Sequence, residues 1–193
     1  MTDAATTNEA AAAQLGEALR ALGYAEAGIT ELLGEDVEFE LWDGLKAVPP
    51  YDEDDDIGTA PAAVAAMRAA VAGADAVLFA TPEYNSSIPG QLKNALDWLS
   101  RPLIASPLRN KPVAVVGASN GMFGAVWSQA ELRKVLAAIG ARVLDAELPV
   151  GRAATRFDAD GELVDEEIRE QLAEVARALV VATRERATTQ AAA

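Results

Sequence analysis

The 193-residue chain contains no cysteine and no histidine. The first absence removes disulfides, zinc–thiolate sites, thiolate nucleophiles and cysteine-ligated iron–sulfur clusters. The second removes a Ser-His-Asp triad, histidine-ligated metals and any acid–base side chain with an ordinary pKa near neutrality. Chemistry on this chain therefore belongs to a bound cofactor, or there is none. Positive charge is also scarce. Sixteen Lys and Arg face 30 Asp and Glu, for a net charge of −14, so the basic face that a nucleic-acid-binding protein needs is missing. The deficit is uneven: residues 1–88 hold three bases and 17 acids, whereas residues 89–193 hold 13 of each. An anionic ligand should find its basic partners in the second half. No apolar run reaches the roughly 18 residues of a membrane span, and Met1 to Asn8 lacks the basic and apolar regions of a signal peptide. The expectation is a cytoplasmic protein that meets neither membrane nor nucleic acid.

What is present alternates between two periods. Residues 9–22 place Ala12, Leu15, Leu19 and Leu22 at helical spacing, with Gly23 as a stop. Residues 36–42 alternate apolar and acidic, as a half-exposed strand does. A Pro- and Asp-rich loop (43–60) leads to a helix over 61–73 opened by Pro61. Then come a buried strand (74–81), a loop (81–90), a helix ended by Arg101-Pro102, a buried strand (111–119) and a glycine-containing loop (117–124). A helix over 125–139, a strand over 141–150 and a terminal amphipathic helix over 163–183 complete the series. Strands separated by helices predict an α/β fold, a doubly wound parallel sheet with helices on both faces. Residues 1–186 read as one domain and 187–193 as a frayed tail. Such sheets bind ligands beyond the carboxyl ends of their strands, which points to the loops 81–90 and 117–124.

The loop TPEYNSSIPG (81–90) is stiffened by Pro82 and Pro89. It offers backbone donors, a phenol and an amide, which suit the edge and face of a flat heteroaromatic ring. A plain strand-to-helix connection remains open on the residues alone. GASNGMFG (117–124) is neither a Walker A loop nor a Rossmann fingerprint, and tight turning would explain its glycines. Two acidic stretches lack calcium-loop spacing: 51–58 reads as a solvated loop and 157–167 as a turn before the last helix, and no metal ligand set is expected. Trp98 and Trp127 read by default as packing residues. Arg101, Arg109, Lys111, Arg133 and Lys134 are candidates for attracting the phosphates of an anionic ligand.

AVLFATPEYNSSIPGQLKNALDWLSRP followed by KPVAVVGASNGMFG resembles the NADPH-dependent FMN reductase family, flavodoxin-like proteins that include quinone and chromate reductases. The likeness runs from about Asp36 to Asp165. It implies a flavodoxin-like fold and FMN held without a covalent bond by Pro82, Glu83, Tyr84, Asn85 and Ser86. Gly117, Ala118, Ser119 and Gly121 would line the flavin or the nicotinamide approach. It also implies NAD(P)H as co-substrate, a quinone, free flavin or similar small-molecule acceptor, and a homodimer or homotetramer. No side chain is assigned a catalytic role, since hydride transfer through a flavin asks the protein for orientation and electrostatics.

Family members begin with a buried strand and a phosphate loop. Aligning Thr6 and Asn8 with the loop's Ser-x-Asn leaves no room for that strand and sets Asp3 where an arginine belongs. The expectation is therefore a flavodoxin-like sheet whose first strand is absent, with Thr6 and Asn8 as remaining phosphate contacts. A start site assigned too late, a degenerate paralogue and replacement by another segment or subunit all explain this. The second of these carries the alternative function, a cofactor-free binding or scaffold protein.

Overall fold

The computed structural model describes residues 37–38, 40, 42–158 and 163–191. Helix 9–22, Thr6 and Asn8 lie outside these, as does the amino-terminal segment from which a first strand was expected to be missing. Among the described residues four strands form one sheet: β1 (Val77–Thr81), β2 (Pro112–Ala118), β3 (Arg142–Val143) and β4 (Pro149–Val150). All pairings are parallel, with β2 between β1 on one edge and both β3 and β4 on the other. The helices are α1 (Ala62–Gly73), α2 (Gly90–Leu99), α3 (Val126–Ile139) and α4 (Glu166–Ala191).

β2 alternates its side chains between two cores, as a strand with period two must. Val113 and Val115 join Leu96, Trp98, Leu132 and Leu136 from α2 and α3 on one face. Ala114, Val116 and Ala118 join Leu172 and Val175 of α4 on the other. Every residue of β2 is buried, so its near-continuous apolar run is what two covered faces require. β1 was expected to be equally enclosed, yet Val77 to Ala80 are only half-buried. Among the described residues it is hydrogen-bonded to β2 alone.

Other differences have visible causes. The strand expected over 141–150 is split, because side chains of α3 take its backbone groups. Gln129 Oε1 accepts from Leu148 N–H at 3.2 Å, and Arg133 Nη1 donates to the Ala146 carbonyl at 2.9 Å. At 37, 38, 40 and 42 no strand forms, and no described strand pairs with them; Phe39 and Leu41 lie outside the described residues. The last helix starts at Glu166, since Phe157 and Leu163 form an antiparallel bridge first. It continues to Ala191, beyond Arg186 where fraying was expected. Within the acidic stretch 51–58, Asp56 is not simply solvated: Arg68 grips it through two hydrogen bonds of 3.0 and 3.1 Å. No described helix is long and apolar enough to cross a membrane.

Candidate active site

Thr81 and Gly117 are register partners in the parallel pair of β1 and β2, so the loops that follow them leave the same end of the sheet side by side. Three hydrogen bonds then tie the first loop to α3, and a fourth lies within the loop. Thr81 Oγ1 donates to the Pro82 carbonyl at 2.8 Å, as does Ser128 Oγ. Glu83 Oε2 accepts from the backbone N–H of Trp127 at 3.0 Å and of Ser128 at 3.1 Å. Helix α3 enters through Ala125, which has φ 61° and no side-chain cap of its own. The carboxylate that satisfies the open N–H groups thus comes from the neighbouring loop, where negative charge also complements the helix dipole.

Beyond Glu83 the chain makes a tight turn. Tyr84 N–H donates to the Ser87 carbonyl and Ser87 N–H to the Tyr84 carbonyl, both at 3.0 Å. Asn85 and Ser86 between them have φ of 52° and 58°, the pair of positive values a type I′ turn requires. Asparagine tolerates this conformation; serine with its Cβ does so at a cost of about 1–2 kcal/mol. Both residues are exposed and form no hydrogen bond to the described protein. Pro82 is buried and Tyr84 is 38 % exposed.

The second loop is built differently. An added Cβ on Gly117 would meet Gln129 Cγ at 2.9 Å and Ala125 Cβ at 3.0 Å, so this glycine lets α3 lie close to the sheet. The Ala118 methyl belongs to the α4-side core. Ser119 is buried; its N–H donates to the Val150 carbonyl and its carbonyl accepts from Ala153 N–H, each at 3.0 Å. Gly121 is exposed, and its carbonyl accepts from Arg152 N–H at 2.9 Å. The structure therefore brings Pro82–Ser86 and Gly117–Gly121 to one end of the sheet. It also shows that the Glu83 carboxylate caps α3, the Gly117 gap admits α3 and the Ala118 methyl packs in the core.

The arrangement fits a planar heteroaromatic group. Two adjacent exposed amides are fixed by a strained turn, the turn's base is welded to a helix, and no described residues cluster as a metal site. The profile of the NADPH-dependent FMN reductase family matches residues 7–155. The chain belongs to that family. It is accordingly an oxidoreductase of the flavodoxin-like fold, with FMN as cofactor and NAD(P)H as co-substrate. Among family relatives, it is 40% identical over 165 residues to the NAD(P)H-dependent FMN reductase PA1204 of Pseudomonas aeruginosa, covering 83% of this chain and 88% of the relative. It is 37% identical to a 2-hydroxy-1,4-benzoquinone reductase from a Burkholderia species, over 75% of this chain and 78% of that one. The solved flavoenzyme FerB, an NAD(P)H:(acceptor) oxidoreductase of Paracoccus denitrificans, superposes with a TM-score of 0.75 at 31% identity, covering 91% of this chain and 90% of that one.

Several cations singled out in the sequence lie elsewhere in this family member. Lys111, at the opposite end of β2, donates to the Ala72 and Ala74 carbonyls at the C-terminal end of α1, and burial, with Arg186 adding to it, holds its pKa below the usual lysine value. Arg133 pairs with Asp145 and Glu147, and Lys134 with Glu131. Arg101 sits against Tyr51, whose hydrogen bond and charge raise its pKa. Trp98 is fully buried and donates Nε1–H to the Pro49 carbonyl at 2.9 Å. Trp127, expected to pack inside, is 47 % exposed. Arg152 went unnoticed in the sequence because nothing local distinguishes it; its position depends on the distant bond to Gly121.

Proposed function

We propose that this chain carries two electrons from NAD(P)H to a quinone or similar small acceptor, with FMN seated on the turn Pro82–Ser86 and beside Gly117–Gly121. The overall change is NAD(P)H plus a proton plus quinone giving NAD(P)+ plus hydroquinone, which balances two electrons and two protons. FMN supplies the two-electron exchange between reductant and acceptor when bound. The protein's part is placement. Asn85 and Ser86 present backbone N–H groups that can donate to the polar edge of the ring, and donors fixed in advance stabilise charge that develops there. Pro82 and Tyr84 provide a wall, and Ser128 and Glu83 prevent the turn from shifting. Thr6 and Asn8 are assigned to the cofactor phosphate on the family resemblance.

The observation that carries this reading is the Thr81–Gly117 register, which sets both loops at one end of the sheet. The quinone acceptor is supported by the 2-hydroxy-1,4-benzoquinone reductase relative. We further assign residues 1–186 to one domain, the chain to a homodimer or homotetramer, and the protein to the cytoplasm.

The test is reconstitution. Purified protein should turn yellow with FMN, gain thermal stability from it and oxidise NAD(P)H when a benzoquinone is added. Tyr84→Ala and Asn85→Ala should each weaken FMN roughly fivefold or more, the loss of about one net hydrogen bond or contact. Asp54→Ala, exposed on a distant turn, should not. A colourless protein that FMN does not stabilise would overturn the reading in favour of the cofactor-free alternative.

A further inference from the structure

The ridge beside the site has three features that the placement of FMN does not use. Phe123 and Trp127 are 54 % and 47 % exposed, and their rings meet edge to face with centroids 5.1 Å apart. Met122, next to them, is 64 % exposed. Arg152 is exposed, holds φ at 52° and takes part in no ion pair among the described residues. Its backbone is locked to the same ridge: Arg152 N–H donates to Gly121, and Gly151 lies so close to Met122 that an added Cβ would stand 2.4 Å from the Met122 carbonyl oxygen.

From these residues we infer that the ridge binds the adenosine 2′-phosphate end of NADPH and makes the enzyme prefer NADPH to NADH. The inference rests on the oxidation of NAD(P)H at the adjoining loops. A purine needs an aromatic surface to stack on, which Phe123 and Trp127 offer. A phosphate needs a cation that is not already neutralised. On the described loops that follow β1, β2, β3 and β4 up to Asp165, the bases are Arg152 and Arg156, and Arg156 is paired with Asp165. Arg152 therefore remains, with the forked guanidinium geometry that matches a phosphate. In a chain of net charge −14, the extra negative charge of a 2′-phosphate is repelled unless one such cation answers it. Keeping a non-glycine residue left-handed costs free energy, and here that backbone fixes where the arginine departs.

Titration calorimetry on the purified protein, with 2′,5′-ADP and 5′-ADP as probes, tests this without relying on turnover. The wild type should bind 2′,5′-ADP roughly tenfold more tightly. Arg152→Asn, which suits a left-handed backbone, should erase that difference, and Arg152→Lys should keep part of it. Arg109→Gln removes the same charge near Gly140 at the other end of the sheet and should keep all of it. Trp127→Ala should weaken both probes alike, and the KM ratio of NADPH to NADH should rise about tenfold in Arg152→Asn. Equal affinity of the wild type for the two probes, or equal effects of Arg152→Asn and Arg109→Gln, would overturn the inference. So would Trp127→Ala if it altered particle mass in light scattering and left both affinities intact, which would make the ridge a subunit contact. Steady oxidation of both nucleotides without 2′-phosphate discrimination would sink this inference alone, whereas failure to oxidise either would sink the function it rests on.

Discussion

Gly124 and Gly121 stand three residues apart in one loop, yet they answer different physical demands. Gly124 has φ +61°, and a Cβ there would come within 2.5 Å of Pro149 C and 2.6 Å of the Gly151 and Val150 nitrogens. Those atoms are backbone, so nothing yields cheaply. Gly121 would meet only Ser119 Oγ, at 3.5 Å. Gly124→Ala should therefore destabilise the protein by about 3 kcal/mol or more, combining left-handed strain with a main-chain clash. Gly121→Ala should cost less than about 1 kcal/mol. Urea unfolding of the two variants gives the comparison; equal losses would mean that the approach of this loop to β4 is not rigid. The same reasoning separates two glycine roles in the site: Gly117 admits a helix, whereas Gly124 admits a strand. A pattern of glycines cannot make that distinction, which depends on atoms between 8 and 27 residues away.

At the scale of elements, α4 illustrates how an end is set. Asp165 precedes its first residue, and Asp165 Oδ1 accepts from Ile168 N–H at 3.1 Å. That hydrogen bond, helped by the Arg156 guanidinium, holds the Asp165 carboxyl below the usual carboxylate value. A carboxyl with a depressed folded pKa stabilises the fold fully above its unfolded pKa and loses that contribution as the pH falls through the folded one. Asp165→Ala should cost about 1 kcal/mol at neutral pH, the usual loss for a cap. The gap between wild type and variant should narrow toward about pH 3, below the ordinary aspartate range; denaturant titrations at both pH values measure it, and a gap that widened in acid would contradict the cap. The helices α1, α2 and α3 were legible in the sequence because their buried positions recur every three or four residues, as Leu92, Ala95, Leu96 and Leu99 do. β2 was legible because both its faces are covered. The break between β3 and β4 was not, since Gln129 and Arg133 reach it from another element. For the site, the position of the two loops beyond the strand ends could be read directly. The capping of α3 by Glu83 and the exposure of Trp127 could not, because each depends on how two loops meet.

Taken as a whole, the molecule carries far more negative charge than its described ion pairs neutralise. Arg68–Asp56 and the contacts of Arg133 are local, whereas residues 1–88 alone hold 17 acids against three bases. Two effects of salt then oppose each other. Screening weakens exposed pairs, each worth about 0–1 kcal/mol, and also weakens the repulsion among all the unpaired acids. With so few bases in the first half, the repulsion outweighs the pairs. Thermal stability should therefore rise as sodium chloride is added from low ionic strength and level off near about 0.15 M, where the screening length falls to roughly 8 Å. Nucleotide capture separates the long-range field from the local cation. Salt should raise the association rate of NADPH by screening the repulsive field, while loosening the final contact with Arg152. Stopped-flow measurements at several salt concentrations should thus show association and dissociation both accelerating. Association that slowed with salt would mean that NADPH meets an attractive field despite the net charge, and the basic residues of the second half would then form a surface that extends well beyond Arg152.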